Sequence, residues 1–170
     1  LQNLVEYSAE TGELNRNVII GQGQIGYYRY LSGDLWICFL VDHPNNLMGL
    51  INSRTKERKI FASGIGRTFE VDEKKDIIFV HKILPDQWIL KSYKTENQKM
   101  SVIATMPTGS EDFLIDTDGR IICTKDSRVL QYDPIKQTWN NLIDFGPLGL
   151  KHLGRIAIKN NLLVIVDEIK

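Results

Sequence analysis

Apolar residues fall in short runs along the whole chain, and polar turns separate these runs. Each run has about five to eight residues and is rich in Ile, Val, Leu, Phe and Tyr, which is typical of β-strands. Turn signals such as Ser32-Gly33, Asp118-Gly119 and Asn160-Asn161 lie between the runs. No segment has the apolar spacing of an amphipathic helix. The pattern therefore predicts an all-β protein.

The predicted strands recur in groups of four, with a period of about 42 residues that is typical of propeller blades. The clearest group has strands at residues 111–116, 120–125, 128–133 and 138–144. Two earlier groups repeat this arrangement within residues 27–62 and 67–105. A four-stranded antiparallel sheet of this size buries both faces only by stacking against neighbours around an axis. We therefore predict a β-propeller of four-stranded antiparallel blades.

Each end of the chain supplies half of a further group. Residues 3–20 fit the third and fourth strands of a blade, and residues 152–170 fit the first and second. Pairing of these halves would close a ring without exposed strand edges. The prediction is a single propeller domain over residues 1–170, with about four blades at 27–62, 67–105, 111–145 and a composite of 152–170 with 3–20.

Residues 21–26, GQGQIG, match the glycine pattern of dinucleotide-binding proteins. That function requires a helix directly after the glycines, because the helix N-terminus receives the pyrophosphate. The following segment is instead aromatic and β-branched, which predicts a strand. Residues 63–66, Gly109 and Gly154 lie at the same phase of the repeat. We interpret the glycines as tight crossings between blades, where backbones approach closely.

Four phrases carry a family resemblance: SGIGRTFEVDEKKDIIFVHK, TGSEDFLIDTDGRI, RVLQYDPIKQTWNNLIDF and GLKHLGRIAIKNNLLVIV. They resemble the repeats of TolB-like, WD40-like (PD40) β-propeller proteins, particularly an exported group found in Bacteroidetes. The turn at residues 116–119 keeps part of the Ser/Thr-Pro-Asp-Gly turn of that family, and the other blades have diverged further.

The resemblance implies a propeller fold and an exported, periplasmic location. Family members commonly have about six blades, and this chain resembles their C-terminal part. An arc of about four blades is completed either by further blades of a longer chain or by another copy in a homo-oligomer. The resemblance is specific for architecture and weak for activity, since propellers include scaffolds, receptors and enzymes.

Composition excludes several classes of function. The 170 residues include 21 basic and 21 acidic side chains, so the formal net charge is zero, which argues against nucleic acid as a partner. No apolar run reaches the ~20 residues that span a bilayer. Cys38 and Cys123 lie in apolar runs without a C-x-x-C pattern or a nearby His, so we expect buried free thiols. We expect no metal site and no cofactor.

Polar residues at the starts of the first strands of several blades form the candidate site, because these positions converge at the mouth of a propeller channel. They are Tyr27, Arg67, Glu111, Asp112, His152 and Arg155, and His81 at the end of an apolar strand is added to them. The opposite charges bind a polar ligand or a peptide terminus, or they neutralise each other as a structural ring. The second interpretation is the simpler one.

The residues do not predict a catalytic group. Ser110 lacks the G-x-S-x-G elbow that exposes a nucleophile, so it is interpreted as a turn cap. Glu111 and Asp112 resemble a glycosidase dyad only superficially, because adjacent residues of a strand point to opposite faces.

The sequence thus predicts a non-catalytic scaffold that binds a protein or peptide partner at the channel mouth, with Arg67 and Arg155 taking carboxylates. The alternative is a small-molecule receptor for a sugar or peptide, or a hydrolase or lyase, at the same mouth. There His81 or His152 would serve as acid and base, oriented by Glu111 or Asp112. A purely structural domain is the third interpretation.

Overall fold

A computed structural model describes residues 2–159 and 162–168, so the predicted turn at Asn160-Asn161 lies outside the described residues. These residues form β-strands joined by turns, with a single 3₁₀ turn at Gly146–Leu148 in the described part of the chain. The all-β prediction is confirmed. The chain divides into two compact units, Leu1–Ile65 and Gly66–Lys170.

The first unit contains one two-stranded and one four-stranded antiparallel sheet. Strands β1 (Leu4–Tyr7) and β2 (Leu14–Ile19) form the smaller sheet. The larger sheet has four strands in chain order: β3 (Gln24–Ser32), β4 (Leu35–Val41), β5 (Leu47–Asn52) and β6 (Arg58–Ser63). Because β3 runs directly out of the glycine-rich segment and no helix follows it, the dinucleotide-binding geometry is absent from this part of the chain.

The core of the first unit joins its two sheets. Val18 and Ile19 of β2 pack with Cys38 and Leu40 of β4 and with Ile51 of β5. All five side chains are buried. Burial raises the pKa of the Cys38 thiol to about 12, with a small opposing effect of the Arg58 charge. This cysteine is a free thiol of the core, as the sequence predicts.

The second unit contains two four-stranded antiparallel sheets and one two-stranded sheet. The first sheet consists of β7 (Ile65–Val71), β8 (Ile77–Leu84), β9 (Gln87–Tyr93) and β10 (Met100–Thr105). The second consists of β11 (Phe113–Ile115), β12 (Ile121–Lys125), β13 (Arg128–Asp133) and β14 (Thr138–Asp144). Strands β15 (Leu153–Lys159) and β16 (Leu162–Asp167) form the third.

The three sheets of the second unit pack in sequence order. A buried cluster joins the first two sheets through residues of β8, β9 and β10 on one side and Phe113, Cys123 and Tyr132 on the other. A second cluster, which includes Leu114 and Leu153, joins the four-stranded sheet of β11–β14 to β15 and β16. Burial also raises the pKa of the free Cys123 thiol to about 12. Stacking of this kind buries both faces of the middle sheet, as the blade prediction requires.

Glycine is favoured at two crossings between consecutive sheets. Gly64, between β6 and β7, has φ +62°, and Gly109, between β10 and β11, has φ +83°. These left-handed conformations are unfavourable for residues with a Cβ. The structural interpretation of the glycines at these crossings is therefore supported.

The two-stranded sheets β1–β2 and β15–β16 correspond to the predicted half-blades. Their joining into one composite blade, and the assignment of residues 1–170 to a single domain, stay predictions. Within the described residues, no helix is long and apolar enough to cross a membrane.

Candidate functional site

A cleft of about 420 Å³ lies in the second unit, near the starts of β7 and β11. Three of the predicted site residues, Arg67, Glu111 and Asp112, line the cleft from these two strand starts. The turn from β12 to β13 adds Lys125 and Asp126. The start of β15 and the residue after β16 complete it with His152, Leu153, Gly154 and Glu168. Charged and polar groups thus form most of the cleft wall.

Arg67 and Asp112 form a side-on ion pair in the wall of the cleft. The Arg67 Nη2 lies 2.7 Å from Asp112 Oδ2, and Arg67 Nε lies 3.2 Å from the same oxygen. The Thr68 hydroxyl donates a hydrogen bond to Asp112 Oδ1. The Asp112 side chain is only 9% exposed, so water screens this pair weakly. The pair fixes the start of β11 against β7.

Glu111 extends this ion pair into a chain of four charged groups. Its carboxylate lies 3.3 Å from Arg67 Nε and also pairs with the Lys82 ammonium. The Lys82 ammonium in turn lies 4.4 Å above the ring of Trp88, within the range of a cation–π contact. Asp112, Arg67, Glu111 and Lys82 therefore neutralise one another, which favours the interpretation of these residues as a structural network.

The relation between Glu111 and Asp112 differs from the strand geometry expected from the sequence. β11 begins at Phe113, so both acidic residues precede the strand and the alternation of faces does not apply to them. Both side chains contact Arg67 and both line the cleft.

Two buried hydroxyl groups hold the floor of the cleft. Ser110 Oγ donates to the carbonyl of Thr124 at 2.6 Å, and Thr124 Oγ1 donates to the carbonyl of Gly154 at 2.5 Å. Ser110 and Thr124 are 5% and 4% exposed. These bonds connect the segment before β11 to β12, and β12 to β15. Ser110 is thus a structural donor, but its hydroxyl bonds to a strand of the same sheet and does not cap the local turn that the sequence predicts.

The outer rim of the cleft carries exposed charges of both signs. The Lys125 ammonium lies 3.5 Å from the Asp126 carboxylate, and these side chains are 37% and 73% exposed. His152 and Glu168 are also exposed. The backbone N–H of His152 donates to Asp167 Oδ1 at 2.9 Å, while the His152 ring makes no hydrogen bond to a carboxylate among the residues described here. The rim charges remain accessible to a ligand.

Three predicted site residues lie away from the cleft lining. Tyr27 belongs to the first unit, where its ring meets Phe39 edge to face at 5.5 Å. His81 lies on β8, with its Nδ1 2.8 Å from the Lys91 ammonium. Arg155 is exposed on β15 and does not line the cleft. Participation of these residues in one site stays a prediction.

Sequence reasoning missed Lys125, Asp126 and Glu168, and it also missed the contact of Lys82 with Glu111. Asp126 has a left-handed backbone with φ +53°, as is common in the turn between two strands. The sequence does not indicate that this turn, between β12 and β13, lies beside the cleft. In residues 2–159 and 162–168, no group of three or more His, Cys, Asp or Glu side chains is arranged to hold a metal ion.

Comparison with solved structures identifies the fold. TolB from Acinetobacter baumannii superposes with a TM-score of 0.61 and 14% identity over 84% of this chain and 40% of the TolB chain. The tricorn protease superposes with a TM-score of 0.63 and 14% identity over 96% of this chain and 18% of that chain. No protein-family model matches the chain, and no curated protein matches it in sequence.

Both neighbours are β-propellers, and this chain spans less than half the length of either. Identity of 14% carries information on the fold alone. The four-stranded antiparallel sheets, their stacking in the second unit and these two superpositions agree. The chain is therefore an all-β protein with the blades of a β-propeller, similar in fold to TolB and the tricorn protease.

Proposed function

We propose that this chain is a non-catalytic scaffold that binds a peptide segment of a protein partner in the cleft of the second unit. The observation that carries the proposal is the separation of charges within the cleft. The wall charges of Arg67, Glu111 and Asp112 pair with one another, whereas the rim charges of Lys125 and Glu168 are accessible to solvent.

A rigid wall favours binding because little ordering remains when a ligand enters. The ion pairs of Arg67 and the buried hydrogen bonds of Ser110 and Thr124 connect the segments on which the cleft is built. The volume of about 420 Å³ falls within the range of ordinary ligand pockets. A preformed cleft of this kind supports recognition of a short extended segment.

The charges of the rim favour a peptide over a ligand of a single charge sign. Lys125 offers an ammonium to a peptide carboxylate, and Asp126 and Glu168 offer carboxylates to a peptide ammonium or guanidinium. Mixed charges of this kind fix the register and direction of a bound segment more than its affinity.

The acid-base alternative would require a histidine beside a carboxylate. In the cleft, Glu111 and Asp112 are paired with cations, and the nearest histidine of the lining, His152, contacts Asp167 through its backbone N–H. This arrangement supports binding without a chemical step. Export to the periplasm and membership of the PD40 repeat group remain part of the proposal, since they rest on the sequence resemblance alone. Assembly of several copies into a complete propeller is likewise part of the proposal.

Selection of random hexapeptides displayed on phage, followed by calorimetric titration of the enriched peptide, tests the proposal. A Lys125→Gln, Glu168→Gln double variant keeps the net charge and removes one rim charge of each sign. We expect the dissociation constant of the peptide to rise by roughly 10-fold, as for the loss of two exposed ion pairs.

The matched control is Lys94→Gln, Glu96→Gln, which removes one charge of each sign from the exposed turn between β9 and β10. This control should leave the dissociation constant unchanged. The proposal fails if no peptide is enriched, or if both double variants bind the peptide as the wild type does. Mass spectrometry of the peptide after incubation tests whether the chain acts chemically on it, since cleavage or modification of the peptide would contradict a non-catalytic role.

A further inference from the structure

A second concave surface lies at the opposite end of β7 and β11 from the cleft. It has a volume of about 320 Å³ and lies between the β7–β8 turn and the β11–β12 turn. We call it the acidic groove and define it by its floor, Val71, Ile78, Ile115 and Ile121, and by its acidic rim, Glu70, Asp72, Glu73 and Asp116. The cleft of the proposed function shares none of these residues.

The floor of the acidic groove is a half-covered edge of the hydrophobic core. Ile78 belongs to the buried cluster that joins the two four-stranded sheets of this unit, and it is 6% exposed. Ile115 and Ile121 face each other across the β11–β12 pair and pack against the same cluster while remaining partly exposed. Covering their remaining apolar surface with an apolar side chain is favourable, by about 25 cal/mol for each Å² removed from water.

The two turns beside the groove hold carboxylates in the same way. Asp72 Oδ1 accepts hydrogen bonds from the backbone N–H groups of Lys74 and Asp76, at 2.9 and 2.8 Å. Asp116 Oδ1 accepts from the backbone N–H groups of Asp118 and Arg120, at 3.0 and 2.9 Å. These bonds fix both negative charges at the ends of β7 and β11, on either side of the apolar floor.

Glu70 and Glu73 add to the negative charge of the rim, and Lys74 is the single cation among the described lining residues. The Arg120 guanidinium lies 2.7 Å from Asp116 Oδ2, so it offsets one of the carboxylates. Around the apolar floor, the four carboxylates outnumber the two cations Lys74 and Arg120, so the groove attracts a cationic segment and disfavours an acidic one.

We propose that the acidic groove is a docking site for a peptide segment in which an aliphatic side chain is flanked by lysine or arginine. The aliphatic side chain covers Ile78, Ile115 and Ile121, and the flanking cations face the carboxylates of Glu70, Asp72 and Glu73. Nucleic acids and anionic membranes are excluded by charge. This surface is independent of the peptide cleft and gives the second unit two separate points of contact with partners.

The probe is a labelled heptapeptide with blocked ends, in which one leucine lies between two runs of three lysines. Fluorescence anisotropy gives its dissociation constant. We expect the peptide to bind the wild type, with substitution of the leucine by glycine or of all lysines by glutamate abolishing the signal. Binding should weaken as NaCl is raised toward about 1 M, where charges are screened beyond about 3 Å.

Glu73→Lys reverses one exposed rim charge, and Glu96→Lys makes the same change in the exposed turn between β9 and β10. Glu73→Lys should raise the dissociation constant of the peptide roughly threefold to tenfold, whereas Glu96→Lys should leave this constant within about twofold of the wild-type value. Glu73→Gln gives a smaller loss in the same direction and serves if the reversed variant fails to fold. The Lys125→Gln, Glu168→Gln variant of the cleft should bind the heptapeptide normally.

Three results would overturn the proposal. The first is that the heptapeptide does not bind the wild type, and the second is that the glycine peptide binds as tightly as the leucine peptide. The third is that Glu73→Lys and Glu96→Lys weaken binding equally. The last result would show attraction by net charge alone. None of them bears on the peptide cleft, whose own test uses different variants and a different ligand.

Discussion

Arg67 contacts two carboxylates at once, and the two contacts differ in what they contribute to stability. Asp112 accepts hydrogen bonds from Arg67 Nη2 and Nε and is almost buried, while Glu111 lies 3.3 Å from the same Nε and also pairs with Lys82. A guanidinium presents donors in a planar fork, so it bridges two acceptors in a way that an ammonium does not. Removal of either carboxylate leaves the other with a partner, but only loss of Asp112 leaves the half-buried Thr68 hydroxyl without this acceptor.

Asp112→Asn should therefore destabilise the second unit by about 1–2 kcal/mol, because a charged acceptor is replaced by a neutral amide of the same size. Arg67 is 34% exposed, so solvent screening limits the loss. Urea denaturation followed by tryptophan fluorescence measures the change. Asp118→Asn is the control, since the Asp118 side chain is 68% exposed and its pairing with Arg120 should contribute about 0.5 kcal/mol or less. Equal effects of the two substitutions would contradict the role of Asp112.

Asp116 predicts a pH dependence of stability. Burial raises the pKa of its carboxyl, but the backbone and side-chain hydrogen bonds of Arg120 and the backbone bond of Asp118 together outweigh burial and hold the pKa below its ordinary value of 3.8. A pKa that is lowered in the folded state contributes stability above pH 3.8, and this contribution is lost as the pH falls below that value.

The free energy of unfolding of the wild type should thus exceed that of Asp116→Asn at neutral pH, and the difference should shrink as the pH falls from about 5 to about 3. Chemical denaturation of both proteins across this range gives the difference directly, since other carboxyls titrate alike in both. A difference that is constant or grows in acid would refute the assignment.

At the scale of elements, hydrophobic patterning was sufficient to predict the strands. The bounds of β13 and β14 agree with the prediction at both ends, because each lies between turn signals. β11 is shorter than predicted: Glu111 and Asp112 bind Arg67 through their side chains and precede the strand. The local sequence does not show that these two carboxylates bind Arg67, since Arg67 lies 45 residues from Asp112 along the chain.

Contacts between neighbouring sheets also depend on polar groups at aromatic rings. The Tyr132 hydroxyl on β13 donates to the carbonyl of Ile103 on β10 at 2.9 Å, and the Trp139 Nε1 donates to the carbonyl of Thr105 at 2.8 Å. The two rings lie 5.2 Å apart. Both acceptors are backbone carbonyls of another sheet, so these hydrogen bonds are set by the packing of the sheets and not by the local sequence.

Tyr132→Phe should destabilise the second unit by about 1 kcal/mol, because the ring still packs while the Ile103 carbonyl loses its donor. Denaturation in urea measures the loss, and the slope of the transition should not change. Tyr7→Phe is the matched control, because Tyr7 is 57% exposed on β1. If both substitutions cost the same, the Tyr132 hydroxyl contributes nothing to the contact between the sheets.

At the scale of the whole molecule, the sequence predicted the propeller fold, which the structural neighbours confirm, but only part of the candidate site. Arg67, Glu111, Asp112 and His152 line one cleft, and all four lie near the starts of the first strands of their sheets. Glu168 lies beside Gly154, so closely that a Cβ on that glycine would approach Glu168 Oε1 to 2.9 Å. Such a neighbour is set by the packing of β15 and β16, which a periodic pattern does not contain.

The positions of the two cysteines have a practical consequence for studying the molecule as a whole. Cys38 is fully buried in the first unit and Cys123 is fully buried in the second. The thiolate is the nucleophile that attacks alkylating reagents, and its population is negligible at neutral pH for thiols of such high pKa. Modification of either cysteine therefore reports transient exposure. Each unit therefore contains one buried cysteine whose alkylation rate reports the opening of that unit. The ratio of the two alkylation rates, read site by site by mass spectrometry, measures whether the units open in a single event or one after the other.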